Sequence, residues 1–135
     1  MTTNRIKELF WELEKGSTKW SGYFDVYERH LKKFVGKAPR ILEIGVLGGG
    51  SIEMWLKYFG PDTSVVAIDI NEECLKYEYD GDVEIVMGDQ SDPDFWNEFL
   101  KTQSWHGSAI GLGRQGLTVI FPLAQHTQYR DGVWR

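Results

Sequence analysis

Three short apolar runs, each ending on glycine or aspartate and each followed by a helix-patterned stretch, constrain this chain more than any other feature. They are Arg40-Ile41-Leu42-Glu43-Ile44-Gly45, Ser64-Val65-Val66-Ala67-Ile68-Asp69 and Val83-Glu84-Ile85-Val86-Met87, the last running into Gly88-Asp89-Gln90. β-Branched, apolar and only five or six residues long, they read as buried strands. Behind the first, Ser51 is placed to cap a helix whose inward stripe is Ile52, Trp55, Leu56 and Phe59. Behind the second, Asn71 caps a helix with Glu72 and Glu73 in its first turn, where the helix dipole favours acids. Asp92 and Pro93 then open a helix through Phe95, Trp96, Phe99 and Leu100. Strand and helix alternating at this spacing require right-handed crossovers and a parallel sheet in an α/β fold. Ligands in such sheets sit at the carboxyl ends of the strands.

Two helices are expected ahead of this unit. One covers residues 5–15, with Ile6, Leu9, Phe10 and Leu13 inward, Thr3 or Asn4 as cap and Gly16 as the stop; the other runs from about Gly22 to Val35. The expected organisation is a helical segment at 1–38, a cofactor-binding α/β half-domain at 39–103 and an atypical tail at 104–135. No apolar run approaches the roughly 20 residues of a membrane helix, and no secretory segment is evident at the N-terminus. Cys74 is the single cysteine, which excludes an internal disulfide framework and fits a cytoplasmic protein. Between Glu43 and Asp94 thirteen acidic residues face only Lys57 and Lys76. That sign repels phosphate backbones, so nucleic acid is excluded as a partner of this stretch, and a ligand with a positive centre suits it.

The loop Gly45-Val46-Leu47-Gly48-Gly49-Gly50-Ser51 is the motif most open to chemistry. Glycines permit a tight turn and close approach of backbone to a ligand. A phosphate-cradling loop would continue Gly-Lys-Ser/Thr, and no lysine is present. A dinucleotide fingerprint needs Gly-x-Gly-x-x-Gly; Leu47 stands where a pyrophosphate needs room, which disfavours a nicotinamide-dependent oxidoreductase. A nucleoside-type cofactor without pyrophosphate needs only Gly45 and the later glycines. Asp69, 24 residues after Gly45, is placed to accept ribose hydroxyls, and Asp89 to meet an adenine amino group. Either aspartate alone is an ordinary cap; with the glycine loop they form three sites on successive strand ends.

These same residues resemble a known family. Ile41 to Gly45 with Gly49-Gly50-Ser51, Val66 to Ile70, and Gly88-Asp89-Gln90-Ser91-Asp92 are similar to the S-adenosylmethionine-binding half of class I methyltransferases, and within them to macrolide-sugar O-methyltransferases of the macrocin and mycinamicin type. Thr18-Lys19-Trp20 with Tyr23, Tyr27 and His30 resembles the segment ahead of that family's cofactor domain. The likeness covers about residues 16 to 101. It implies a Rossmann-like sheet, of which only the N-terminal half is present, and O-methylation of a small hydroxylated, sugar-like acceptor. Glu43, with Gly45, Gly48, Gly49 and Ser51, would hold the methionine part of S-adenosylmethionine. Asp69 would bind the ribose, Ile70 would pack on the adenine, and Asp89 and Gln90 would border it. Tyr23 and Tyr27 are weaker candidates for the acceptor pocket, since aromatics at helical spacing are commonly core.

The family pattern stops near Gln103. A fourth strand leading to an Asp-Asp-Gly-Gly-His-like loop that binds Mg2+ is implied, and Ser104 to Gly116 match none of it. The sequence thus offers no metal ligands and no assigned catalytic residue, as a truncated gene or shifted frame would leave it. A cofactor-binding fragment without turnover is the alternative. Either Leu117–Phe121 covers the first strand, or that uncovered apolar edge invites self-association. His30 reads as solvated, Cys74 as a small buried residue, and His106 and His126 as too sparse for a metal site.

Overall fold

The computed structural model describes residues 4–17, 22–46 and 48–102, together with the strands at 117–121, 129–130 and 133–134. Leu47, Thr18-Lys19-Trp20, His106 and His126, and most of the tail lie outside the described residues.

Asn4 opens α1 (Arg5–Trp11), its side chain accepting the Lys7 N–H at 3.1 Å. The helix stops well before Gly16 because the next donors go elsewhere: the N–H groups of Glu14 and Lys15 donate to the Glu53 carboxylate. Residues 14–17 therefore run as an irregular strap, bent at Glu14 and Lys15 and bridged to the glycine loop at Gly16 and Gly49. α2 (Tyr23–Leu31) ends earlier than expected, tightening into a 3-10 turn at Lys32–Phe34 before Val35 turns extended.

β1 (Arg40–Ile44), β2 (Ser64–Asp69) and β3 (Asp82–Met87) pair in parallel, as the alternation requires. Between β1 and β2 lies α3 (Gly50–Phe59). Its cap is Gly49, left-handed at φ +84°, so Ser51 is not the cap but the second residue of the helix. Its burial extends beyond the expected stripe to Met54 and Tyr58, because α1 packs on it as well. Asn71 does accept an N–H, from Glu73, but a 3-10 turn rather than an α-helix spans Glu72–Lys76; Tyr77 already returns to extended backbone. α4 (Pro93–Thr102) opens with the Asp92 side chain accepting the Asp94 N–H.

The sheet order is β3-β2-β1-β4, where β4 is Leu117–Phe121. That stretch does pair with β1, and it runs antiparallel, so Leu117 sits beside Ile44 and Phe121 beside Arg40. Two further two-residue strands, Tyr129–Arg130 and Val133–Trp134, form a separate antiparallel pair too short to show periodicity. Alternation along the strands divides the core in two. Ile41, Val65 and Ala67 face α1, α2 and α3 with Ile6, Phe24, Tyr27 and Trp55. Leu42, Ile44, Val66 and Ile68 face α4 with Trp96 and Phe99. Helices thus cover both sides of a Rossmann-like sheet, and the carboxyl ends of β1, β2 and β3 share one rim.

Candidate functional site

A cavity of about 170 Å3 opens on that rim, lined by Ile44 and Gly45 from β1, Ile68, Asp69 and Ile70 from β2, and Gly88, Asp89 and Gln90 from β3. Five of the residues singled out in the sequence, Gly45, Asp69, Ile70, Asp89 and Gln90, therefore meet at one place. Gly45 holds φ +90°, where a side chain would be strained, and its N–H donates to the Ile68 carbonyl. Asp69 uses both oxygens: Oδ2 accepts the Val46 N–H at 2.7 Å and Oδ1 the Asn71 N–H at 2.8 Å. It thereby latches the start of the glycine loop to the end of β2. Beneath it the Cys74 thiol is pushed up, first by burial and then by the Asp69 charge and hydrogen bond.

Asp89 Oδ1 takes both the hydroxyl and the N–H of Ser91, at 2.6 and 2.8 Å. Those donors hold its carboxyl below the ordinary 3.8, so it is ionised at neutral pH. Ile70, 71% exposed on the rim, offers a flat apolar surface beside the two carboxylates. Two anionic acceptors, an apolar platform and close backbone suit a neutral group with several donors, such as a nucleoside, and repel a phosphate.

The other candidates lie elsewhere. Glu43 is 1% exposed beneath α3, and its Oε2 accepts from Trp55 Nε1 at 2.8 Å. Tyr27 is in the core, edge-on to Trp55 at 5.1 Å. Burial, the Glu43 charge and Tyr23 drive its phenol far above the usual range. Tyr23 is half-buried against it. Gly48, Gly49 and Ser51 face the protein's own chain. A Cβ on Gly48 would stand 2.5 Å from the Gly16 carbonyl oxygen, and one on Gly49 would meet Tyr77 and Tyr79. Ser51 Oγ lies 3.2 Å from Ser17 Oγ.

Sequence reading missed Ile44, Ile68 and Gly88 as lining residues, although each is adjacent to one that it named. Gly88 is explained by packing, since a Cβ there would enter the Phe95 ring. Among the described residues no three His, Cys, Asp or Glu side chains group as a metal site. No described helix is long and apolar enough to cross a membrane.

No family model matches the chain. It is 38% identical over 90 residues to 8-demethyl-8-alpha-L-rhamnosyl tetracenomycin-C 2'-O-methyltransferase of Streptomyces olivaceus, covering 60% of this chain and 23% of the relative. It is 32% identical over 97 residues to demethylmacrocin O-methyltransferase of Streptomyces fradiae, covering 67% and 23%. Mycinamicin VI 2''-O-methyltransferase of Micromonospora griseorubida is 33% identical over 82 residues, covering 56% and 20%. Among solved structures, the MycE methyltransferase of the mycinamycin biosynthetic pathway, in complex with Mg, SAH and mycinamycin VI, superposes with TM-score 0.56 at 28% identity, covering 72% of this chain and 24% of that one. The chain thus spans about a quarter of the length of the relatives it matches. Its homologues are macrolide-sugar and related O-methyltransferases, and the matched part has the fold of a class I methyltransferase.

Proposed function

We propose that this chain binds S-adenosylmethionine at the rim cavity and serves methyl transfer to a hydroxyl of a small, sugar-like acceptor. The observation that carries the reading is the convergence of Gly45, Asp69, Ile70, Asp89 and Gln90 on one cavity in a chain whose homologues are sugar O-methyltransferases. Asp69 would accept from the ribose, Ile70 would pack on the adenine, and Asp89 with Gln90 would border its amino edge. The glycine loop would carry the methionine part, with Glu43 acting from below through the groups that it fixes. When bound, the cofactor supplies an electrophilic methyl group. The task left to the protein is alignment of an acceptor oxygen and removal of its proton.

The loop itself argues against the dinucleotide alternative. A pyrophosphate needs free N–H groups at the start of the following helix. Here the Gly49 N–H donates to Val46 and the Gly50 N–H to Gly16. Calorimetric titration with S-adenosylhomocysteine and with NAD tests the reading: binding of the first alone supports it, and binding of NAD alone overturns it.

A second reading, cofactor binding without turnover, is supported by β4. A parallel fourth strand would deliver its following loop to the cofactor end. The antiparallel β4 brings its first residue, Leu117, there instead, beside Ile44. A methyl-transfer assay on the intact protein with sugar-bearing acceptors separates the two.

A further inference from the structure

Glu53 lies on α3, outside the lining of the rim cavity, yet both of its carboxylate oxygens bond to the N-terminal segment. Its Oε1 accepts the Lys15 N–H at 2.9 Å, and its Oε2 accepts the Glu14 N–H at 3.1 Å and Lys57 Nζ at 2.9 Å. The carboxylate is buried, so these bonds are little contested by water. What the clamp positions is the strap. With residues 14 and 15 fixed, the Gly16 carbonyl accepts the Gly50 N–H at 2.9 Å, and Ser17 meets Ser51. The fit is close enough to require glycine: a Cβ on Gly50 would stand 2.6 Å from the Lys15 carbonyl oxygen and 2.7 Å from that of Gly16. Tyr79 closes the far side, its hydroxyl donating to the Gly49 carbonyl while Lys15 Nζ lies over its ring.

We propose that Glu53 is a positioning residue for cofactor binding: by gripping two strap N–H groups it splints the strap across Gly48–Gly50 and sets the glycine loop in its binding conformation. This rests on the functional reading above, in which that loop carries the methionine part of the cofactor. Preorganisation is the means; a loop that must order itself on binding loses affinity. The strap and the ligand then support each other, and binding of one tightens the other.

The test is S-adenosylhomocysteine titration of the intact wild-type, Glu53→Gln, Glu53→Ala and Lys57→Met proteins, with tryptic cleavage after Lys15 followed with and without the ligand. Glu53→Gln keeps the shape but presents an amide N–H to one strap donor, so it is expected to fold and to bind about tenfold more weakly, with Glu53→Ala at least as weak. Lys57→Met leaves the backbone clamp intact and is expected to bind within about twofold of wild type, because the Lys57 side chain is half-exposed and touches neither the strap nor the glycine loop. Ligand is expected to slow cleavage after Lys15 in wild type and not in Glu53→Ala, which a merely structural role would not produce. Wild-type affinity in Glu53→Gln, or cleavage after Lys15 indifferent to ligand, overturns the positioning role alone. Failure of the wild-type protein to bind S-adenosylhomocysteine overturns the functional reading and this inference with it.

Discussion

Replacing Asp69 by Asn changes one atom, and its cost can be worked from the acceptor count. A carboxylate has about four acceptor directions. The Val46 and Asn71 N–H groups take two, and the Cys74 thiol bonds to the group as well. On the proposed reading the assignment therefore asks for about one strong bond from a ribose hydroxyl rather than two. A hydrogen bond to a charged acceptor contributes about 1.5–3 kcal/mol, so Asp69→Asn should weaken S-adenosylhomocysteine binding by roughly 10- to 100-fold. The same change sets an amide N–H against one of the two latching N–H groups. Leaving such a donor unsatisfied costs about 1–3 kcal/mol, a fall in Tm on the order of 5 °C in a chain of this size, with no ligand present. Calorimetry reads the first effect and thermal unfolding of the free protein the second. Affinity within about threefold of wild type would refute the assignment of Asp69 to the ribose, whatever happens to Tm. A lost affinity with unchanged Tm would refute the latch.

Trp55→Phe removes the indole donor from the Oε2 of buried Glu43 and should destabilise the fold by about 2–4 kcal/mol in urea unfolding, since a buried carboxylate deprived of a partner is costly. At Glu53, burial pushes the carboxyl up, but the Lys15 N–H, the Lys57 ammonium and the Glu14 N–H outweigh it and leave the group below its ordinary 4.5. A depressed folded value means stability that is whole above the unfolded pKa and lost as pH falls through the folded one. The stability gap between wild type and Glu53→Gln should therefore hold near neutral pH and narrow below about pH 4.5, which urea midpoints across that range would measure. Gly88→Ala drives a methyl group into the Phe95 ring, so a loss of about 1–3 kcal/mol is expected, with weaker cofactor binding as the β3 end shifts.

The sheet was legible because three apolar runs with glycine or aspartate ends admit few topologies, and Asp69, Ile70, Asp89 and Gln90 follow from which strands they end. Contacts far apart in sequence left no such mark. The stop of α1 lies at Trp11 rather than Gly16 because Glu53, 38 residues beyond Lys15, captures the donors that would have continued the helix. Ser51 looks like a cap by residue type, yet Gly49 reaches the left-handed conformation more cheaply and starts the helix first. The stretch after Asn71 has helical caps, yet it forms only a 3-10 turn because the backbone turns extended at Tyr77. The direction of β4 is likewise invisible in Leu117–Phe121, since an apolar run pairs equally well either way.

The glycines carry the sharpest lesson. Their clustering after β1 suggests that a ligand must come close, and at Gly45, with its positive φ on the cavity wall, geometry is consistent with that. At Gly48 and Gly50 the close neighbour is the chain's own strap. The loop is therefore held at three points before any ligand arrives: Val46 by Asp69, Gly49 by Tyr79 and Gly50 by Gly16. A loop held in this way loses little further freedom on binding, and its N–H groups at Gly49 and Gly50 are already committed. Both consequences favour a cofactor recognised through its ribose and base at the β2 and β3 ends over one recognised through phosphates at the helix start. On the proposed reading, the segment ahead of β1, which would otherwise count only as packing, thus takes part in shaping the cofactor site.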